Sequence, residues 1–147
     1  MSYEKLLRER RIQPHKAFKE DLRDLFQIIE RDLKDASIKE LSLDRRFATA
    51  YNAALEASKA VLYCEGYRTR GTGHHATAFQ FVRIVFGKNQ EDLVDYFDEC
   101  RKKRNITDYD RAGQISEKEV DEIMREARNF FRIVKDWIKR NHPSLAP

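Results

Sequence analysis

Apolar residues recur along this chain at helical spacing. In the first long segment they fall at Phe18, Leu22, Leu25, Phe26, Ile29 and Leu33. These steps of three and four place one stripe on a helix running from about 16 to 36. After Ser42 the pattern resumes with Phe47, Ala50, Tyr51, Ala54, Ser58, Val61 and Leu62, and Gly66 offers a C-terminal stop. A third helix is expected over 75–86, ending at Gly87, and a fourth capped by Asn89, with Glu91 and Asp92 in its first turn and Leu93, Val94, Tyr96, Phe97 and Cys100 on its apolar face. Residues 105–115 read as a polar loop. Ser116 and Glu119 then form a capping box that opens a fifth helix with Val120, Ile123, Met124, Ala127, Phe130, Phe131, Val134 and Ile138.

No stretch alternates convincingly with period two, and the three prolines, Pro14, Pro143 and Pro147, all lie at the margins. The expected fold is all-α: an up-and-down bundle of four to five antiparallel helices in one domain over 15–142, with 1–14 a loosely held basic arm and 143–147 a C-terminal tail. The 147 residues are enough to bury a sizeable core without staples. Ala50, Ala53, Ala54, Ala57 and Ala60 make a small-residue stripe for the core or for a seam between helices of two copies, and Trp137 is assigned to the core or to that seam.

Charge adds one qualification. The net +4 is concentrated at residues 1–19, where Lys5, Arg8, Arg10, Arg11, Lys16 and Lys19 face only Glu4 and Glu9. Residues 66–90 contain no acid, yet carry Arg68, Arg70, Arg83 and Lys88 with His74 and His75. Such a surface suits an anionic partner. Cys64 and Cys100 sit among apolar helical residues without metal-ligand spacing and read as reduced core thiols, which, with no secretory or membrane-spanning segment, points to a cytoplasmic protein. Phosphate loops of the GxxxxGK type, HExxH and GxSxG are absent, and no metal or cofactor is expected.

The candidate chemistry centres on Arg101-Lys-Lys-Arg-Asn-Ile-Thr-Asp-Tyr109. Arg101 and Arg104, with the Asn105 amide and the Tyr109 hydroxyl close by, can hold a phosphate, while Asp108 stands four residues from Arg104 as a partner for an ordinary salt bridge. His74 and His75 follow the glycine-rich Gly71-Thr-Gly73 turn and open a helix, where imidazoles and free amides can meet an anion; Arg70 with Tyr67 and Arg68 adds an aromatic-basic cluster. Adjacent histidines without a carboxylate or thiol at suitable spacing supply too few ligands for a metal.

Phe47-Ala-Thr-Ala-Tyr-Asn-Ala-Ala54, Gly71-Thr-Gly-His-His75 and Arg104-Asn-Ile-Thr-Asp-Tyr109, in that order, resemble the HEPN superfamily of small helical-bundle proteins, over about residues 16–141. The resemblance implies a homodimer that pairs two copies of an Arg-x4–6-His motif in one ribonuclease cleft, and a place in a toxin–antitoxin or defence system, with a nucleotidyltransferase-like antitoxin as a partner. Arg104 matches the motif arginine and Asn105 the polar residue after it, but Tyr109 stands where the histidine would be. A tyrosine hydroxyl, with an ordinary pKa of about 10, is a poor base at neutral pH. The reading that follows is a dimeric RNA- or nucleotide-binding module with little or no nuclease activity. A metal-independent endoribonuclease using Arg104 with Tyr109, His74 or His75 is the enzymatic alternative, and a protein–protein adaptor the third.

Overall fold

In the computed structural model, residues 3–109 and 114–147 are described. The chain runs α1 (Glu4–Arg8), β1 (Ile12–Pro14), α2 (Lys19–Ala36), α3 (Leu43–Glu65), β2 (Tyr67–Thr69), α4 (His74–Phe86), a 3-10 turn (Gly87–Gln90), α5 (Glu91–Tyr109) and α6 (Glu117–Asn141). The architecture is an all-α helical bundle, as expected, with one small antiparallel β pair beside it.

The helix α3 is the axis of the bundle: it packs against α2, α4, α5 and α6. It can touch so many neighbours because its alanines are small. Ala50, Ala53, Ala54, Ala57 and Ala60 are all buried in the chain's own core, so the small-residue stripe serves that core. Its caps follow the sequence: the Ser42 hydroxyl accepts from Arg45 N–H, and Gly66 takes a left-handed φ of 91° at the C-cap. At α6 the capping box forms in both directions, Glu119 N–H to Ser116 Oγ at 3.2 Å and Ser116 N–H to Glu119 Oε1 at 2.9 Å. Both cysteines are free and buried, and Trp137 packs edge-on to Phe86 at the core margin.

Four expectations need correction. The helix α2 starts at Lys19, and Phe18 is its N-cap, 59% exposed rather than in the core, with its N–H donating to Asp21 Oδ2 at 2.7 Å. A cap residue lies ahead of the repeating stripe, so its side chain need not face inward. Asn89 falls inside the 3-10 turn instead of capping α5. The loop expected from 105 begins later, because α5 carries neither glycine nor proline before Tyr109 and continues through it. Of the expected loose arm, the described residues 3–14 are held in place: Leu6 and Ile12 are buried, and β1 pairs with β2 in the register Ile12↔Thr69, Gln13↔Arg68, Pro14↔Tyr67. Three residues are too few to show an alternation, and this pairing lies more than fifty residues away along the chain.

Glu65, at the end of α3, ties both termini down. One carboxylate oxygen accepts from the Tyr3 hydroxyl, and the other lies 2.7 Å from His142 Nε2. Burial is the first cause, and that carboxylate the second, of a Tyr3 hydroxyl held far above the ordinary phenol range.

Candidate functional site

Most of the residues to be placed come from α4 and α5, which pack on each other and on α3. The first turn of α4 is set by glycine: Gly71 and Gly73 take φ of 80° and 73°, a region that costs other residues strain, and Gly73 is the N-cap. Thr77, 1% exposed as a residue, then donates both its backbone N–H (3.2 Å) and its hydroxyl (3.3 Å) to the Gly73 carbonyl. His74 and His75 therefore open the helix, their rings edge-to-face at 4.6 Å between centroids.

The His75 ring points to α3, where its Nδ1 lies 3.1 Å from the hydroxyl of Tyr51. Burial lowers the His75 pKa to about 4, assisted by the charges of His74, Arg104, Lys59 and Arg101, so the imidazole is neutral at pH 7. Tyr51 is 1% exposed, and burial raises its hydroxyl well above the ordinary phenol range even though Arg104 and Arg101 pull the other way.

Arg101 and Arg104 stand three residues apart on α5 and so share one face. The Arg104 guanidinium carbon lies 5.5 Å from the Tyr51 ring centroid, a cation–π distance. Arg101 Nε donates to Asp98 Oδ1 at 3.0 Å. Each arginine also borders a cleft. Arg104 closes one of about 250 Å3 with Asp32, Ala48, Thr49 and Asn52. Arg101 lines another of about 300 Å3 with Ala76, Phe79, Gln80, Arg83 and Asp98. In the first cleft Asp32 is 5% exposed and accepts from Asn52 Nδ2 at 2.7 Å and from Arg31 Nη2 at 3.2 Å.

Arg101, Arg104, His74 and His75 thus gather around Tyr51 at one region of the bundle. Arg70 is exposed in the preceding loop and is held through its backbone, whose N–H donates to Arg11 O at 2.9 Å. Asn105, Asp108 and Tyr109 continue α5, and their side chains lie outside the described residues. Sequence reasoning had not given site roles to Tyr51, Asp32, Asn52 or Thr49. A signal existed for Asp32, the one acid on the stripe Leu22, Leu25, Ile29, Leu33, Ala36 of α2. Tyr51 looked like any core aromatic until the fold put a histidine against its hydroxyl.

Two guanidiniums and a neutral imidazole offer hydrogen-bond donors in several directions, the equipment for an anion such as phosphate. Among the described residues no group of three or more His, Cys, Asp or Glu side chains is placed to hold a metal ion, and no helix is long and apolar enough to cross a membrane.

No curated protein and no solved structure matches the chain. The family pattern of the SAV_6107-like HEPN proteins does match, over residues 38–135, a span that contains α3, α4, α5 and, of the residues placed at the site, all but Asp32 and Arg31 on α2. With its helical bundle and that match over most of its length, the chain belongs to the HEPN superfamily, as a SAV_6107-like HEPN protein.

Proposed function

We propose that this protein is an RNA- or nucleotide-binding HEPN module that grips phosphate through Arg101 and Arg104, assisted by His75, and has little nuclease activity. The observation that carries the reading is the Arg104–Tyr51–His75 arrangement, in which one buried ring meets a guanidinium 5.5 Å from its centroid and an imidazole at its hydroxyl. We assign the Tyr51 hydroxyl, kept protonated by burial, as the donor to His75 Nδ1, which places the ring proton of His75 on Nε2. His75 in that tautomer gives a hydrogen bond to a phosphate oxygen. It is badly prepared to take a proton from a 2′-hydroxyl, since its accepting nitrogen is already engaged and its basicity is depressed. Asn105 and Tyr109, which follow Arg104 in the sequence motif, are assigned to binding from that motif, and Arg70 and His74 are proposed to join them.

The polar cleft of Asp32, Thr49 and Asn52 beside Arg104 gives a base or ribose somewhere to lie next to its phosphate. We further propose that two copies pair through this region, that the protein works in a toxin–antitoxin or defence system with a nucleotidyltransferase-like antitoxin as partner, and that it acts in the cytoplasm. Metal-independent endoribonuclease activity is the second reading. It is favoured by the presence of an imidazole in the electrostatic neighbourhood of Arg104, which restores the residue type that Tyr109 replaces. A pure adaptor role is favoured by nothing in this geometry.

The deciding experiment incubates labelled single-stranded RNA in EDTA with the parent protein, Arg104→Ala and His75→Ala, scored on denaturing and native gels. Retention without cleavage, weakened roughly tenfold or more by Arg104→Ala, is the expected result. Cleavage abolished by His75→Ala would establish the nuclease reading instead, and an Arg104→Ala variant that binds as the parent does would remove both.

A further inference from the structure

We propose that the N-terminal segment 9–14 is a strap that fixes the first turn of α4, with Arg11 as the positioning residue for the His74–His75 pair. The inference rests on the anion-binding reading of that pair and says what holds it in place. Three contacts carry it. The β1–β2 register brings Ile12 opposite Thr69, so the strap runs alongside the chain entering the glycine turn. The backbone closes the two ends of this pairing, His15 N–H donating to Gly66 O at 2.9 Å and Arg70 N–H to Arg11 O at 2.9 Å. Beyond Arg70 the chain passes through Gly71 and Gly73, whose positive φ angles reflect a free backbone with no side chain of their own to anchor it.

The Arg11 side chain spans that gap. Its Nε donates to Thr77 Oγ1 at 3.1 Å, and the same hydroxyl donates to Gly73 O at 3.3 Å. A charged donor on Thr77 polarises the hydroxyl toward the Gly73 carbonyl and locks the N-cap, from which His74 and His75 follow directly. Glu9, whose Oε1 lies 3.6 Å from Arg11 Nη1, holds the guanidinium from the strap side. The strap itself is fastened by buried Leu6 and Ile12 and by the Tyr3–Glu65 hydrogen bond. None of residues 3–14 lies in the segment matched to the family, so in this chain the histidine pair is positioned by residues outside that segment.

The test compares the parent with Arg11→Met, Thr77→Val and the double variant. Thr77→Val removes the hydroxyl without changing charge, which separates positioning from any direct pull of Arg11 on RNA. Two readouts are taken: retention of a labelled single-stranded RNA oligonucleotide, and the titration of His75 by ring NMR. The ring is faced by His74 on α4, by Tyr51 and Lys59 on α3, and by Arg101 and Arg104 on α5, so a turn that loosens away from them changes its titration. The expected result is a roughly five- to twentyfold loss of RNA affinity in each single variant, and a His75 midpoint that climbs from about 4 toward the ordinary value. The double variant should bind no worse than Arg11→Met, because one chain of contacts is cut in both. Parental titration of His75 in Thr77→Val would overturn the strap whatever the RNA result. A parent that fails to retain RNA removes the anion-binding reading alone, and the His75 titration then still decides the strap.

Discussion

Tyr51 offers the sharpest quantitative test, because its ring and its hydroxyl do different work and can be removed separately. In Tyr51→Phe the ring stays, and with it the cation–π contact to Arg104 and the edge contact to Phe79 at 5.9 Å between centroids. Only the hydrogen bond to His75 Nδ1 is lost, and no cavity opens around a residue that is 1% exposed. The net loss is that of one neutral hydrogen bond whose acceptor stays half-buried, about 1 kcal/mol. For a chain of this size that lowers Tm by about 2–4 °C. Tyr51→Leu removes the ring as well, which forfeits both aromatic contacts and leaves a void, so it should cost about 2–4 kcal/mol. Urea denaturation followed by far-UV circular dichroism measures both. The His75 titration adds an independent sign: the hydroxyl favours the neutral imidazole by donating to it, so its removal should raise the His75 midpoint from about 4. Equal costs for Phe and Leu would refute the role of the ring contacts, and a His75 midpoint unmoved in Tyr51→Phe would refute the assigned hydrogen bond.

His75 also predicts a pH dependence. Its folded value, near 4, lies below the ordinary unfolded value of about 6.5, so the unfolded chain takes up the proton first. Stability from this group is fully present above pH about 6.5, is lost as pH falls toward 4, and changes no further below that. Relative to the parent, His75→Gln should recover on the order of 1 kcal/mol at about pH 5, after allowance for solvent around the half-buried ring, and the difference should flatten above neutrality in denaturation curves taken across pH. Arg46 supplies a test away from the site: buried on α3, it donates from Nε to the carbonyl of Ala36 at 2.8 Å, the last residue of α2, and from Nη2 to Met124 Sδ at 3.8 Å. Arg46→Met keeps the apolar stem but strips a helix C-terminus of its cationic cap, a loss of about 1–3 kcal/mol; a variant as stable as the parent would contradict that role.

The sequence by itself settled the helical class and most of the helix ends, because these depend on short-range physics. The stripes of α3 and α6 needed only a period of 3.6, while Ser42, Gly66 and the Ser116–Glu119 box carry their capping instructions within four residues. The family resemblance was legible for a related reason, since the short segments 47–54, 71–75 and 104–109 stand in a characteristic order and spacing, even though Tyr109 departs from the motif histidine, and the match over residues 38–135 agrees with it. Where local signals ran past their reach, as at Phe18 and along α5 beyond Arg104, element ends shifted by a few residues.

What only tertiary structure decided is which segments meet. Tyr51 and His75 are 24 residues apart, and nothing in either neighbourhood says that the hydroxyl of one will lie against the ring nitrogen of the other. The same holds for Arg11 and Thr77, 66 residues apart, and for the docking of a basic N-terminal stretch whose charges hid the two buried residues, Leu6 and Ile12, that fasten it. Hydrophobic periodicity tells a helix which face to bury but not against which partner. That choice is made when the bundle closes, and it is the closing that sets a neutral imidazole and an arginine on either side of one tyrosine.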